Sequence, residues 1–204
     1  MVGKNLVGRL GIEGLTLTNL TRFRPIQMFS SPEMRVKQVA CGEFHTLALL
    51  ESGLVYSWGG TLHGKLGREY EKAPRIVDGL DHVFITKVAC GDCHSLALEQ
   101  SGVLFSWGGG EGSHAHGQCG HGSYDEVKGP RPIRYLEGKQ IVEISAGKEH
   151  TLVLTSSNEV WGFGNGQHGQ CGFGDNCDTP IPKLLTFPRN EIYVGWFKIR
   201  CQIK

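Results

Sequence analysis

Four side chains of metal-binding type crowd one short stretch of the sequence. They are His114, His116, Cys119 and His121. Imidazole nitrogen and thiolate sulfur are ligands that Zn²⁺ prefers, and ligands only a few residues apart are common in zinc sites. A metal-binding loop at residues 114–121 is therefore one hypothesis for the chemistry of this chain.

Two other stretches match cofactor motifs. Cys90-Gly-Asp-Cys93-His94 fits the Cys-x-x-Cys-His pattern of covalent haem attachment. Gly164-Asn-Gly166-Gln-His-Gly169 fits the dinucleotide fingerprint, which must follow a strand and open a helix. The next residues, Gln-Cys-Gly-Phe-Gly, cannot begin a stable helix, so we reject the dinucleotide hypothesis.

A motif that recurs three times explains the haem-like pattern differently. Each copy has Gly-x-x-His followed by a short apolar run and an aromatic residue before Gly. The shared positions are Gly42, His45 and Trp58; Gly91, His94 and Trp107; and Gly147, His150 and Phe163. Cys90 and His94 therefore repeat Cys41 and His45, which favours a repeat over haem. A catalytic histidine is needed once, so a histidine in every copy indicates a structural role.

The repeat also weakens the metal hypothesis. His116 and Cys119 have counterparts in the other copies, so only His114 and His121 are additional. The second copy is longer here, because Gly117 follows Trp107 by ten positions and Gly64 follows Trp58 by six. We expect a polar loop with turn residues, and we keep the metal site as the alternative.

The local pattern of each copy is that of β-strands. Runs such as His45–Leu50 and Leu54–Trp58 are short, apolar or aromatic, and closed by Gly. No window holds an apolar stripe at helical spacing. Each copy reaches a Gly-x-x-Gly turn, and a Pro-containing segment, which suits an edge strand, lies between one copy and the next. These turns are Gly64–Gly67, Gly117–Gly120 and Gly169–Gly172, with an extra Gly8–Gly11 near the start.

Together these motifs resemble the regulator of chromosome condensation repeat. The resemblance implies an all-β fold of β-propeller blades, with about three complete four-stranded blades plus flanking fragments of an incomplete seven-bladed ring. It covers residues 1–187. We predict a blade tail at 1–14, blades at about 22–70, 71–124 and 129–175, the start of a next blade at 179–187, and an atypical C-terminal tail at 188–204.

The repeated residues are predicted to hold the blades together. We expect His45, His94 and His150 to be buried and to hydrogen-bond backbone groups. Their glycine partners should allow either a positive φ or a close approach of backbone. The aromatic residues should fill the space between neighbouring blades. The glycines are Gly42, Gly91 and Gly147, and the aromatic residues are Trp58, Trp107 and Phe163.

The resemblance implies a non-enzymatic scaffold that binds proteins and needs no cofactor. Because the family includes the exchange factor for the GTPase Ran, it also implies a narrower function, regulation of a small Ras-like GTPase. Light-sensing members carry Gly-Trp-x-His-Thr cores, whereas this chain has Glu-Phe, Asp-Cys and Lys-Glu between Gly and His. This difference argues against photoreception.

Composition narrows the choice of partner and compartment. The net charge is +1, from 21 basic and 20 acidic residues, so no overall charge attracts nucleic acid or an anionic membrane. No signal peptide or membrane-length apolar run is visible, which predicts the cytosol or the nucleus. An open half-ring exposes blade flanks, so additional blades or self-association are expected to close the ring.

Overall fold

The computed structural model describes residues 3–12, 19–68, 73–110 and 112–186. These ranges are all-β, as predicted, and their helical segments are short 3₁₀ turns. The strands are β1 (Gly3–Lys4), β2 (Asn19–Leu20), β3 (Val36–Cys41), β4 (His45–Leu50), β5 (Val55–Gly59), β6 (Arg75–Ile76), β7 (Ile85–Cys90), β8 (His94–Glu99), β9 (Leu104–Gly108), β10 (Val127–Pro132), β11 (Ile141–Ala146), β12 (His150–Thr155), β13 (Val160–Gly164) and β14 (Thr179–Leu184). The 3₁₀ turns are Leu6–Gly8, Gln27–Ser30, Pro32–Met34, Leu62–Gly64, Gly112–His114 and Arg134–Leu136. None of these turns is long and apolar enough to cross a membrane.

The strands form three four-stranded antiparallel sheets. The first sheet has the order β3-β4-β5-β6, the second β7-β8-β9-β10 and the third β11-β12-β13-β14, while β1 and β2 pair separately. The first strands of successive sheets contact one another, so the sheets are arranged side by side around one axis. The prediction of about three complete blades in an incomplete ring is confirmed.

The Pro-containing strands lie in different sheets from those we expected. We assigned them to the start of each following unit, but β6, β10 and β14 pair with the third strand of the preceding sheet. The physical reason is that the third strand needs hydrogen-bond partners on its outer edge, and an edge strand tolerates Pro. The predicted tail at 188–204 lies outside the described residues.

Most of the core lies between sheets. Leu47 and Leu49 of the first sheet belong to one buried cluster with Ile85 and Val88 of the second. A second cluster joins Leu96, Leu98 and Leu104 to Ile141, Ile144 and Val153 of the third sheet. Because burying one such side chain contributes about 1.5–3 kcal/mol, packing between sheets supplies much of the stability and fixes the sheets relative to one another.

Candidate functional site

A chain of hydrogen bonds crosses each junction between sheets. The Ser95 hydroxyl donates its one hydrogen to the Lys65 carbonyl oxygen at 2.8 Å, so it must accept from His45 Nε2 at 2.9 Å. In the next junction the Thr151 hydroxyl donates to the Gln118 carbonyl oxygen at 2.9 Å and accepts from His94 at 2.9 Å. The acceptors of these two histidines are therefore hydroxyls of the next sheet, and our expectation of backbone acceptors is wrong for His45 and His94.

The glycines of the repeated motif make room for these histidines. A Cβ atom on Gly91 would overlap the His94 ring and lie 2.6 Å from the Gly147 carbonyl oxygen. A Cβ on Gly42 would overlap the His45 ring and the Gly91 carbonyl oxygen in the same way. None of the three glycines has a positive φ. Of the two roles left open by the sequence, the structure selects close approach.

The aromatic residues pack against the Gly-x-x-Gly turn of the preceding unit. Trp107 Nε1 donates to the Lys65 carbonyl oxygen at 2.9 Å, and Trp58 Nε1 donates to that of Arg9 at 2.9 Å. Both indoles are fully buried, as is Phe163, which has no N–H to donate. The Gly8–Gly11 turn therefore holds the first sheet as later turns hold the second and third.

Burial keeps the junction histidines neutral. It lowers the pKa of His45 to about 3, assisted by the positive charge of Lys65. Burial likewise lowers the pKa of His94 to about 3, assisted by His150. Since both rings donate from Nε2, the neutral form with hydrogen on Nε2 is the one that completes each junction.

We expect the free energy of unfolding to fall as the pH drops below about 6.5. His45 and His94 titrate near 6.5 when unfolded but near 3 when folded, so between these values they alone make the unfolded state bind two more protons than the folded state. Each of these histidines then lowers the free energy of unfolding by about 1.4 kcal/mol per pH unit, which amounts to roughly 2 kcal/mol at pH 5. Burial also lowers the pKa of His150 and of His121, which adds to the effect in the same direction. Urea unfolding at pH 7.5 and pH 5 measures the loss.

His94→Gln should reduce the loss of stability at pH 5 by roughly 2 kcal/mol, because the contribution of one titrating histidine is gone. His82→Gln is the matched control, since the His82 side chain is 70% exposed. An unchanged pH dependence in His94→Gln would contradict this explanation. The pKa values of Glu149 and Asp178 are lowered in the folded state, so these carboxylates stabilise the fold, and that contribution is lost only at more acidic pH, below about 4.5.

Two sets of loops meet on one side of the sheets. The turn after each first strand (residues 42–44, 91–93 and 147–149) is hydrogen-bonded to the loop after each third strand. The bonds run from Gly60 N to Phe44 O at 2.6 Å, from Gly109 N to Cys93 O at 3.0 Å and from Asn165 N to Glu149 O at 2.8 Å. We call the surface formed by these six segments the turn face.

Two of the four candidate metal ligands fasten the long loop of the second sheet to the third. His114 Nδ1 lies 3.0 Å from Glu149 Oε1. His116 Nδ1 lies 2.8 Å from Asp178 Oδ2, and its Nε2 lies 2.9 Å from the Ser113 carbonyl oxygen. With an acceptor at each ring nitrogen, His116 makes both bonds when doubly protonated.

The other two candidates are engaged elsewhere. Cys119 is buried, which raises its thiol pKa to about 12. His121 Nε2 lies 2.9 Å from the Ser106 hydroxyl, and that hydroxyl donates to the Cys119 carbonyl oxygen at 2.6 Å. In the part of the chain that the structure describes, no three His, Cys, Asp or Glu side chains converge on a position that could hold a metal ion. The metal hypothesis therefore gains no support.

Cys90 and His94 of the haem-like motif both make structural contacts between sheets. Cys90 Sγ lies 3.5 Å from the Ala40 carbonyl oxygen in the junction between the first and second sheets, and burial raises its pKa. His94 is bonded to Thr151 in the next junction. These two side chains therefore hold different pairs of sheets together.

The turn face carries charged groups that sequence reasoning did not single out. Glu43, Asp92 and Lys148 occupy the same position, directly after the motif glycine, and the Asp92 amide donates to the Lys148 carbonyl oxygen at 2.9 Å. Burial and the neighbouring Glu43 charge raise the pKa of Asp92. The only sign of this cluster in the sequence is that the three residues hold the same position in the repeat, because their residue types differ.

Next to these acids lies a buried lysine. Lys65 is 2% exposed, its ammonium lies 5.6 Å from the centre of the Phe44 ring, and burial lowers its pKa. Arg9 lies over the same ring at 4.8 Å. Groups with perturbed pKa values gathered on a loop surface are typical of functional sites.

Comparison with known proteins identifies the repeats. The family model described as the regulator of chromosome condensation (RCC1) repeat matches residues 1–49, 52–98, 101–154 and 157–201. The ultraviolet-B receptor UVR8 of Arabidopsis thaliana is 33% identical over 181 residues, which are 87% of this chain and 40% of UVR8.

Two solved structures share the fold. Human WBSCR16 has a TM-score of 0.79 and 27% identity, over 91% of this chain and 48% of that one. Prp20p from Saccharomyces cerevisiae, whose binding properties to Gsp1p and histones are known, has a TM-score of 0.78 and 25% identity, over 90% and 45%. The chain thus spans less than half the length of each of these three proteins.

Proposed function

The chain belongs to the regulator of chromosome condensation (RCC1) repeat family, and we propose that it binds a protein partner in the nucleus or cytosol through the turn face. The observation that carries this proposal is the gathering of Glu43, Asp92 and Lys148 by three equivalent turns. A rigid β scaffold that presents charged loops side by side is suited to recognition, and this function needs no catalytic group.

A narrower function follows from the same surface. We propose that the partner is a small Ran-type GTPase and that the chain accelerates its release of GDP. The likeness to Prp20p, which binds Gsp1p, supports this choice. The acidic pair Glu43 and Asp92 offers carboxylates that basic side chains of a partner can approach, because Glu43 is exposed and Asp92 partly so.

A nucleotide-release assay, together with a binding measurement, tests the exchange function and the use of the turn face as the contact surface. Release of fluorescent GDP from a Ran-type GTPase should be faster with the chain than without it. Asp92→Asn and Glu43→Gln should each weaken binding by about 10- to 100-fold, because a lost charged hydrogen bond costs about 1.5–3 kcal/mol. Glu137→Gln is the control, since Glu137 is exposed in the loop between β10 and β11, at the other end of the sheets.

The outcomes distinguish a protein-binding scaffold from an exchange factor. Binding without faster GDP release, still sensitive to Asp92→Asn, would leave a scaffold and refute the exchange function. Binding that Glu137→Gln weakens as much as Asp92→Asn would refute the turn face as the contact surface.

A further inference from the structure

The side chains that follow the first glycine of each Gly-x-x-Gly turn are bonded within the chain, with one exception. These residues are Arg9, Lys65, Gln118 and Gln170. Gln118 Nε2 donates to the His114 carbonyl oxygen at 2.8 Å, and its Oε1 accepts from the His116 amide at 3.0 Å. Gln170 is bonded within its own loop in the same way. Arg9 Nη1 donates to the Glu43 carbonyl oxygen at 2.7 Å.

Lys65 is the exception. It is 2% exposed, yet no hydrogen bond or ion pair from the described residues reaches its ammonium group. Ser95 and Trp107 bond only to its carbonyl oxygen, and the ammonium lies 5.6 Å from the centre of the Phe44 ring. Buried charged groups in proteins are normally paired or hydrogen-bonded. The three ammonium hydrogens of Lys65 are therefore available to oxygen acceptors of a binding partner.

The charged end of Lys65 opens on the turn face. In the part of the chain that the structure describes, the fully enclosed side-chain nitrogens without a hydrogen bond all belong to histidines. The Lys65 nitrogen is not among them, so the small exposed part of this side chain includes its charged end. Its neighbours Phe44 and Cys93 belong to the turns of the first and second sheets. A partner that docks on the turn face can therefore reach the ammonium.

The charges around Lys65 indicate which ligand it can take. Glu43 and Asp92 are close enough to interact electrostatically with Lys65, although neither forms an ion pair with it. These two carboxylates suit basic side chains of a partner, but a wholly basic partner would leave the ammonium without an acceptor. A partner carboxylate opposite Lys65, with basic residues opposite Glu43 and Asp92, satisfies all three charges.

We propose that Lys65 forms an ion pair with a carboxylate of the protein partner, and that the docking segment of this partner carries one acidic residue between two basic residues. The inference rests on the proposed function, since the turn face must be the contact surface. The buried stem of Lys65 holds the ammonium in place, so little side-chain freedom is lost on binding. A segment without the acidic residue would bury this charge unpaired, which gives the site its specificity.

The repeat supplies two variants that suit the fold. Lys65→Gln introduces the residue of the two later turns, and Lys65→Arg introduces that of the first turn. If Lys65 serves binding, Lys65→Gln should leave the urea midpoint unchanged or raise it, because it removes a buried charge that has no hydrogen bond. A lower midpoint would assign Lys65 to the fold and contradict the inference.

An NMR titration of the full chain with two short peptides tests the ligand chemistry. The probe is acetyl-Arg-Ala-Asp-Ala-Arg-amide, whose three charged side chains lie on one face when the peptide is extended. The comparison peptide has Asn in place of Asp and is more basic. The Asp peptide should bind at least about tenfold more tightly, because a charged hydrogen bond contributes about 1.5–3 kcal/mol. Amide shifts should fall at residues 43–44, 65 and 92–93.

Variants of the chain show whether Lys65 causes this preference. Lys65→Gln should abolish the preference for the Asp peptide, and Lys65→Arg should keep most of it. Lys37→Gln is the matched control, since Lys37 is exposed near the start of β3, away from the turn face. It should keep the full preference.

Equal affinity for the two peptides, or a preference that survives Lys65→Gln, would overturn the inference. So would the absence of any shift at residue 65 with millimolar Asp peptide. If Glu43→Gln and Asp92→Asn weaken binding of both peptides while Lys65→Gln changes nothing, the turn face remains the contact surface and only the role of Lys65 is refuted. If the two acidic substitutions also have no effect, the proposed contact surface fails as well.

Discussion

Gly91→Ala is expected to destabilise the protein by about 3–5 kcal/mol, since overpacking alone typically costs 1–3 kcal/mol and a broken buried hydrogen bond adds a comparable amount. The added methyl group would overlap the His94 ring and lie 2.6 Å from the Gly147 carbonyl oxygen. The His94 ring is fully buried, and the Gly147 carbonyl belongs to the backbone of the turn between β11 and β12, so neither group can easily move away. Displacing the ring also breaks its bond to Thr151.

Gly129→Ala is the control for this substitution. Gly129 lies in β10, has no positive φ, and a Cβ there would meet nothing within 4 Å. Its free energy of unfolding should change by less than about 0.5 kcal/mol. Urea unfolding of both variants measures the difference, and equal stability of the two would refute the role assigned to the motif glycine.

Trp107→Ala is expected to destabilise the protein by about 3–5 kcal/mol, the usual cost of truncating a buried aromatic side chain. The indole fills the junction between the first two sheets and packs against Gly67. It also donates to the Lys65 carbonyl oxygen, which accepts from Ser95 as well. The loss should appear as a lower denaturant midpoint.

Trp107→Phe separates packing from hydrogen bonding. It removes the indole N–H but keeps most of the ring, so it should cost about 1 kcal/mol for the lost bond together with a small term for the lost volume. The third sheet carries Phe163 at this position naturally, buried and without a donor. If the two substitutions were equally damaging, the hydrogen bond and not packing would dominate this junction.

The two substitutions also differ in where their effects spread. Gly91 lies where the third sheet approaches the second, whereas Trp107 faces the first. Because each sheet packs mainly on its sequence neighbours, amide hydrogen exchange should locate the loosened junction in each variant.

Several features of the fold were accessible from the sequence because they are local. A hairpin places Gly, His and an aromatic residue at fixed spacing in each unit, so self-comparison was enough to predict blades and their approximate number. The same comparison explained Cys90 and His94 without a cofactor. The sheet to which each Pro-containing strand belongs could not be predicted, since the sequence of an edge strand does not indicate which strand it pairs with.

The sequence by itself determined the repeat and the all-β class, and it singled out the glycines, histidines and aromatic residues that recur in each unit. Only the tertiary structure decided what those residues touch: the hydroxyls that receive His45 and His94, the dispersal of the four candidate metal ligands, and the meeting of Glu43, Asp92 and Lys148 on one surface. The reason is distance along the chain. Neighbours in adjacent sheets are about 50 residues apart, so their contacts arise only when the sheets pack.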